Sequence, residues 1–429
     1  MPSPAVRLAL ATGFQPQDPP AQQPLLRRLA FVVAALLIVR LGKHIPLPGL
    51  DYSGMIETLT YSGSPIAAGA TERLSIFALG IWPYISASLV MLCMIWIVPP
   101  LARMTKSRAG RLRLNQYMRV ATVVIAGFQA YAIAGGLEHV HSRGESLVLD
   151  PGLSFRVSTM ATLIGASLFL AWLSERITAR GLGNGVLLIL FADLAAGLPE
   201  FVLAFMEYLR QHPYPYQPKA PFATGALMLA AIVGVVFVEL ARRRVLFEHQ
   251  ARKAGGGHRS YLPLKLNPSG LAPLFLAPAL AGMLSLIAYQ IDPIWFEAQG
   301  KFWLGLGQPV HLLLLGALIV LFAMSFRTVC GSDPAELAAG VQKSGGVIPG
   351  LAEGERATDH IASMQTRIAA FGALYLAAVG LMPELLYGFA RTAFNFGGWP
   401  LLVLVMVPVA VLEGLRRTPA GARTVSPPQ

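Results

Sequence analysis

Charged residues are scarce in this chain. Lys and Arg number 34 and Asp and Glu 22 among 429 residues, which is 13%, where soluble domains carry roughly 25%. That shortfall excludes an ordinary soluble globule. Cysteine is nearly absent too. Cys93 and Cys330 stand far apart in or beside apolar runs, which excludes a disulfide framework and leaves them as packing residues. No GxxxxGK[ST], HExxH or CxxC pattern occurs. A phosphate loop, a zinc hydrolase helix and a redox dithiol are excluded with them. His139 and His141 lie two apart in a polar stretch, a spacing weak for metal and suited to a solvated loop. No catalytic, cofactor-binding or metal-binding residue is expected. Paired carboxylates inside the apolar runs are also missing, so no ion relay is legible. Asp193 is nearly the only acid at membrane depth. An intramembrane charge is a functional hypothesis by default, but a single one near a span end can also reach water, and both readings stay open.

Apolar sequence is abundant instead, at 55% of residues. A helical span needs about 20 such residues. Candidate spans fall at 25–42, 75–98, 117–136, 155–173, 185–206, 222–241, 270–289, 309–329, 367–388 and 397–415. The loop after the second carries Arg103, Lys106, Arg108, Arg111, Arg113 and Arg119 without an acid. The loop after the sixth carries Arg242, Arg243, Arg244, Arg252, Lys253, Arg259 and Lys265 against Glu239 and Glu248. Intervening loops hold Glu138, Glu145, Asp150, Asp292 and Glu297 with few bases. Excess Lys and Arg mark the cytoplasmic side, so these basic loops and both termini are expected there. The net charge of +12 then needs no DNA to explain it, although contact with acidic lipid, ribosomal RNA or an acidic partner stays open. The first 24 residues show no cleavable signal pattern.

Several stretches are shaped rather than reactive. YSGSPIAAGATER (61–73) is a small-residue tangle leading into LSIFALGIWPYISASLVMLCMIWIV (74–98). Backbone so rich in Gly, Ser and Pro cannot form a regular helix. At membrane depth it must be wrapped by protein or line a watery cavity, because lipid accepts no unpaired N–H or C=O. RITARGLGNG (176–185) offers two glycine turns and Asn184 as a helix cap. LPLKLN (262–267) closes the large basic loop, in which Gly255, Gly256 and Gly257 read as flexible linker. GGVIPGLAEG (345–354) punctuates a second long loop, between Arg327 and Arg367, and argues for a shaped tip that something docks against.

SIFALGIWPYISAS (75–88), ITARGLGNG (177–185), LPLKLN, KSGGVIPG (343–350) and FGGWPLL (396–402), in this order and spacing, resemble the SecY family of translocase channel subunits. RLGKHIPLPGLD (40–51) resembles that family's segment after the first span, and the likeness covers roughly 24–412. It implies an all-α polytopic membrane protein with ten transmembrane helices in two pseudo-symmetric five-helix halves, a clamshell. The halves would be 25–206 and 222–415, with an external hinge loop at 207–221, a cytoplasmic segment at 1–24 and a short tail at 416–429. The resemblance further implies an apolar pore ring at Ile81, Ile85, Val186, Leu190, Phe275 and Val403. A plug at about 60–74 would include Tyr61, Ser62, Gly63, Ser64, Pro65, Ala67, Gly69 and Ala70. Implied partners are SecE, SecG, the SecA ATPase or a ribosome, signal peptides, unfolded preproteins and lipid. Docking would use loops 242–265 and 327–366 through Arg242, Arg243, Arg244, Arg252, Lys253, Lys343, Pro349, Gly350 and Arg356. The expected location is the bacterial cytoplasmic membrane.

Two departures stand out. Ala352-Glu353 follows Pro349-Gly350-Leu351 where the family usually has Arg-Pro, and Asp193 replaces a small residue one helical turn beyond the waist. Alternative readings are a small-solute secondary transporter, which would need polar groups converging at the midplane, and a specialised or degenerate copy with altered motor coupling.

Overall fold

The computed structural model describes residues 25–51, 74–105, 107–139, 141–142, 145–181, 183–211, 219–249, 259–305, 307–330, 334–343, 346–347, 355–390 and 398–416. Among the described residues ten long helices stand at the ten apolar runs. They are α1 Leu25–Gly42, α2 Trp82–Ile97, α3 Arg108–Glu138, α4 Leu153–Arg180, α5 Gly185–Gln211, α6 Lys219–Leu240, α7 Ala272–Ile291, α8 Pro309–Cys330, α9 Glu355–Ala390 and α10 Gly398–Arg416. Stretches of five of them (Ala109–Glu138, Leu153–Arg180, Ala272–Ile291, Pro309–Phe326 and Thr358–Leu385) are long and apolar enough to cross a membrane. The remaining helices hold shorter apolar stretches or, like α1 with Arg27, Arg28 and Arg40, carry charge. The protein is therefore a predominantly helical membrane protein.

By contacts the chain divides into two compact units, Ala9–His212 with Ala410–Gln429, and Pro213–Val409 with Met1–Leu8. In the first, α3 packs on α2 and α4, and α4 on α1 and α5. Ala126, Ala130 and Ala134 recur every fourth residue of α3 and are fully buried. Small residues on one stripe let helix backbones approach closely where lipid offers no hydrophobic driving force. Ala130, Ala134, Leu137, Phe155 and Leu163 join Leu47, Leu50, Leu79, Leu147 and Val148 in one apolar cluster.

In the second unit α8 packs on α7 and α9. Leu315, Ile319, Phe322 and Phe326 form its buried stripe, with the two phenyl rings stacked at 5.7 Å.

One expectation is corrected. The second span does not begin at residue 75, because 74–81 are turns. Ala78 N donates to Ser75 O at 2.9 Å and Gly80 N to Phe77 O at 2.8 Å, with Gly80 at φ +54°. Helix starts only at Trp82, with Pro83 at its first turn. After α3 the two-residue strands β1 His141–Ser142 and β2 Glu145–Ser146 pair antiparallel. In the basic loop after α6, strands β3 Arg242–His249 and β4 Arg259–Lys265 pair antiparallel, with Arg242 opposite Lys265 and Phe247 opposite Ser260. A two-residue strand from the second long loop, Gly346–Val347, adds to β3 opposite His249 and Glu248. Gly255, Gly256 and Gly257 lie outside the described residues.

Candidate functional site

None of the six positions expected to form the pore ring is exposed. Ile81, immediately before α2, and Ile85, one turn on, are buried, and Ile85 N donates to Ile81 O at 3.1 Å. Further along the same helix Val90, Met94 and Ile97 are exposed, as lipid-facing side chains should be. On α5, Leu190 is buried and Val186 half-buried. In the second unit Val403 of α10 is completely buried, and the half-buried Phe275 ring of α7 lies 5.3 Å from that of Trp399, tilted 39°.

Local chemistry fixes these helices. Asn184 Oδ1 accepts from Val186 N at 2.9 Å, and Thr178 Oγ1 accepts from Gly185 N at 2.7 Å. Two orphan donors at the start of α5 are thereby satisfied from the 176–185 turn. Asn267, the last residue of LPLKLN, accepts from Gly270 N at 3.0 Å and donates to Glu239 Oε1 at 3.2 Å, so the turn into α7 is tied to the end of α6. Gly398 lets α10 start against α9. A Cβ there would stand 2.4 Å from Val379 O.

A family profile for SecY matches residues 75–412. The Escherichia coli (strain K12) protein translocase subunit SecY is 35% identical over 403 residues, covering 89% of each chain. The same subunit of Haemophilus influenzae is 36% identical over 400 residues, covering 89% of this chain and 88% of its own. The chain belongs to the SecY family. Its fold agrees. A solved protein conducting channel superposes with a TM-score of 0.66 at 17% identity over 95% of this chain and 96% of that one. Sec61 in a canine ribosome–channel complex from the endoplasmic reticulum gives 0.63 at 16% identity, again over 95% and 96%.

Around this SecY-family core the structure adds polar pairs that sequence reasoning missed. Asp193 is one partner of an ion pair, with Lys43 Nζ 2.9 Å from its Oδ1. Glu384 of α9 is a second acid within a span, and its Oε2 lies 3.2 Å from His311 Nε2 of α8. Arg119 Nη2 of α3 meets Glu175 Oε2 of α4 at 3.2 Å. At the far end of the same two helices Glu138 takes Arg156 Nε at 2.9 Å and Gly152 N at 3.0 Å. Each partner is remote in sequence, so the only legible signal was an acid inside an apolar run.

Of the docking residues, Arg242, Arg243 and Arg244 open β3, Lys343 ends the short helix Pro334–Lys343, and Arg356 is the second residue of α9. Arg252, Lys253, Pro349 and Gly350 lie outside the described residues, as do Ala352 and Glu353 and the plug positions Tyr61, Ser62, Gly63, Ser64, Pro65, Ala67, Gly69 and Ala70. Residues on either side of the stretch expected to be the plug are held by backbone hydrogen bonds. Leu47 N donates to Leu74 O and Ile76 N to Ile45 O, both at 2.9 Å, and Asp51 N donates to Leu147 O at 2.9 Å.

Proposed function

We propose that this chain, a protein translocation channel subunit, moves unfolded secretory proteins across the bacterial cytoplasmic membrane and releases membrane segments sideways into lipid. Ile81, Ile85, Val186, Leu190, Phe275 and Val403 form its waist. An apolar constriction sheds water and so blocks ions, yet side chains held only by dispersion part around a passing chain. The small residues at 60–74 plug the outer funnel, and a seam between the second and third spans on one side and the seventh and eighth on the other is the lateral gate. Both ends face the cytoplasm.

Substrate hydrophobicity nearly suffices to open such a gate. A signal core of about 7–15 residues, each Leu-like residue gaining roughly 0.3–0.6 kcal/mol on insertion, contributes on the order of 2–9 kcal/mol. Taking a gate from mostly closed to mostly open requires about 5.5 kcal/mol of differential binding. Pushing polar cargo needs outside work, which a SecA-type ATPase or a translating ribosome supplies from the hairpin β3–β4 and the loop at 327–366. SecE and SecG brace the channel in the membrane.

The observation that carries this reading is the contrast from Ile81 along α2, where Ile81 and Ile85 are shielded and Val90, Met94 and Ile97 are exposed. A photoreactive residue at position 85 should crosslink a stalled secretory chain, and one at position 90 should crosslink lipid. No polypeptide adduct at 85 would favour the degenerate-copy reading. The transporter alternative finds no support in the family match, and Asp193 is engaged by Lys43.

A further inference from the structure

Lys43 and Asp193 join two elements with different roles. Lys43 follows the last turn of α1, and residues 43–51 run on as a segment with turns at 43–44 and 48–49, bonded on both sides. Toward 74–76 it has the Leu47–Leu74 and Ile45–Ile76 hydrogen bonds and the bridge Pro46↔Ser75. Toward 147–149 it has Asp51 N to Leu147 O at 2.9 Å, Leu149 N to Gly49 O at 3.0 Å and the bridge Leu50↔Val148. Leu47 and Leu50 sink into the apolar cluster with Phe155 and Leu163 of α4. The segment is therefore a platform fixed to α3 and α4. Asp193 lies on α5, three residues past Leu190 and eight past Gly185, about 12 Å along the helix at 1.5 Å per residue.

The two side chains are only 13% and 26% exposed. Charges this poorly hydrated are costly to separate, because the stranded carboxylate or ammonium loses its partner without regaining full hydration. Any displacement of α5 from the platform must stretch this contact. A contact biases a conformational equilibrium only by the amount it differs between the two states. We infer that the Lys43–Asp193 pair is a latch: it holds the waist helix α5 against the platform and so keeps Val186 and Leu190 in the closed ring of the resting channel. The inference rests on reading Val186 and Leu190 as waist residues. Lys43 and Asp193 are positioning residues, since neither belongs to the ring itself.

The test is resting ion leak through the intact channel complex reconstituted in vesicles, read beside its unfolding temperature. Lys43→Gln with Asp193→Asn removes both charges of the pair together. Lys43→Asp with Asp193→Lys reverses it. Leu190→Ser probes the waist by itself. Losing a partly exposed pair shifts a two-state population by up to about fivefold, so the neutral double variant should leak about fivefold more. The reversed variant should return to within about twofold of the unaltered channel. A neutral variant that leaks no more than the unaltered channel, while Leu190→Ser leaks, overturns the latch and leaves the waist standing. A lowered unfolding temperature with unchanged leak marks a merely structural pair and overturns it equally. If Leu190→Ser stays tight, the waist reading fails and the latch falls with it.

Discussion

Asn184 caps the helix that begins one residue after it, its Oδ1 accepting from Val186 N at 2.9 Å and approaching Leu187 N at 3.4 Å. Val186 thus owes its place to the residue two before it. Replacing an Asn cap with Ala costs about 1 kcal/mol. Asn184→Ala should lower the unfolding temperature of the purified complex and raise resting leak, because the start of α5 frays where Val186 sits. Asn184→Asp, which keeps the accepting oxygen, should restore both. Scanning fluorimetry and vesicle conductance read the two effects separately.

Residue patterns show the ten helices because length and apolarity are local properties. They show the Asn184 cap for the same reason. The start of the second span is not legible, because SIFALG is as apolar as the helix after it. Hydrogen bonds from Leu47 to Leu74 and from Ile76 to Ile45, contributed by a distant segment, hold 74–81 in turns. The β3–β4 hairpin is hidden by its basic residues, although VLF at 245–247 opposite SYL at 260–262 carries ordinary strand propensity. Lys43 and Asp193 could not be paired from sequence, since nothing local links the end of α1 to the middle of α5.

Gly398 offers a steric test. A side chain there meets Val379 O at 2.4 Å and the Cα of Gly380 at 2.8 Å, both backbone atoms that cannot swing aside. Gly398→Val should therefore push the start of α10 from α9 and destabilise the second unit by about 1–3 kcal/mol. Val403 is carried on the same helix, so leak should rise along with the loss of stability. Limited proteolysis of the purified protein, with conductance, checks both.

His311 and Glu384 are buried together between α8 and α9, with side chains 7% and 14% exposed. Removing one member of a buried pair costs about 3–5 kcal/mol, whereas replacing both with apolar groups is often neutral. His311→Leu should thus lower the yield of folded protein sharply. His311→Leu with Glu384→Leu should recover most of it. A double variant as damaged as the single would show that the pair does more than satisfy itself, and size-exclusion yield and unfolding temperature decide between the outcomes.

Arg242, Arg243 and Arg244 stand at the root of the hairpin, opposite Lys265, Leu264 and Pro263 in the register of β3 with β4. Backbone pairing places three consecutive cations at the base of this hairpin. A partner docking there, as proposed, would gain up to about 1 kcal/mol from each charge pair it forms. That gain is screened beyond about 10 Å at 0.1 M salt. Arg243→Glu with Arg244→Glu should therefore weaken partner binding to reconstituted channel most at low salt, and the difference from the unaltered channel should shrink as salt is added. Because the substitutions lie outside the helices, the waist should stay tight and resting leak unchanged. Equal binding at every salt concentration would place the docking surface elsewhere on the loops.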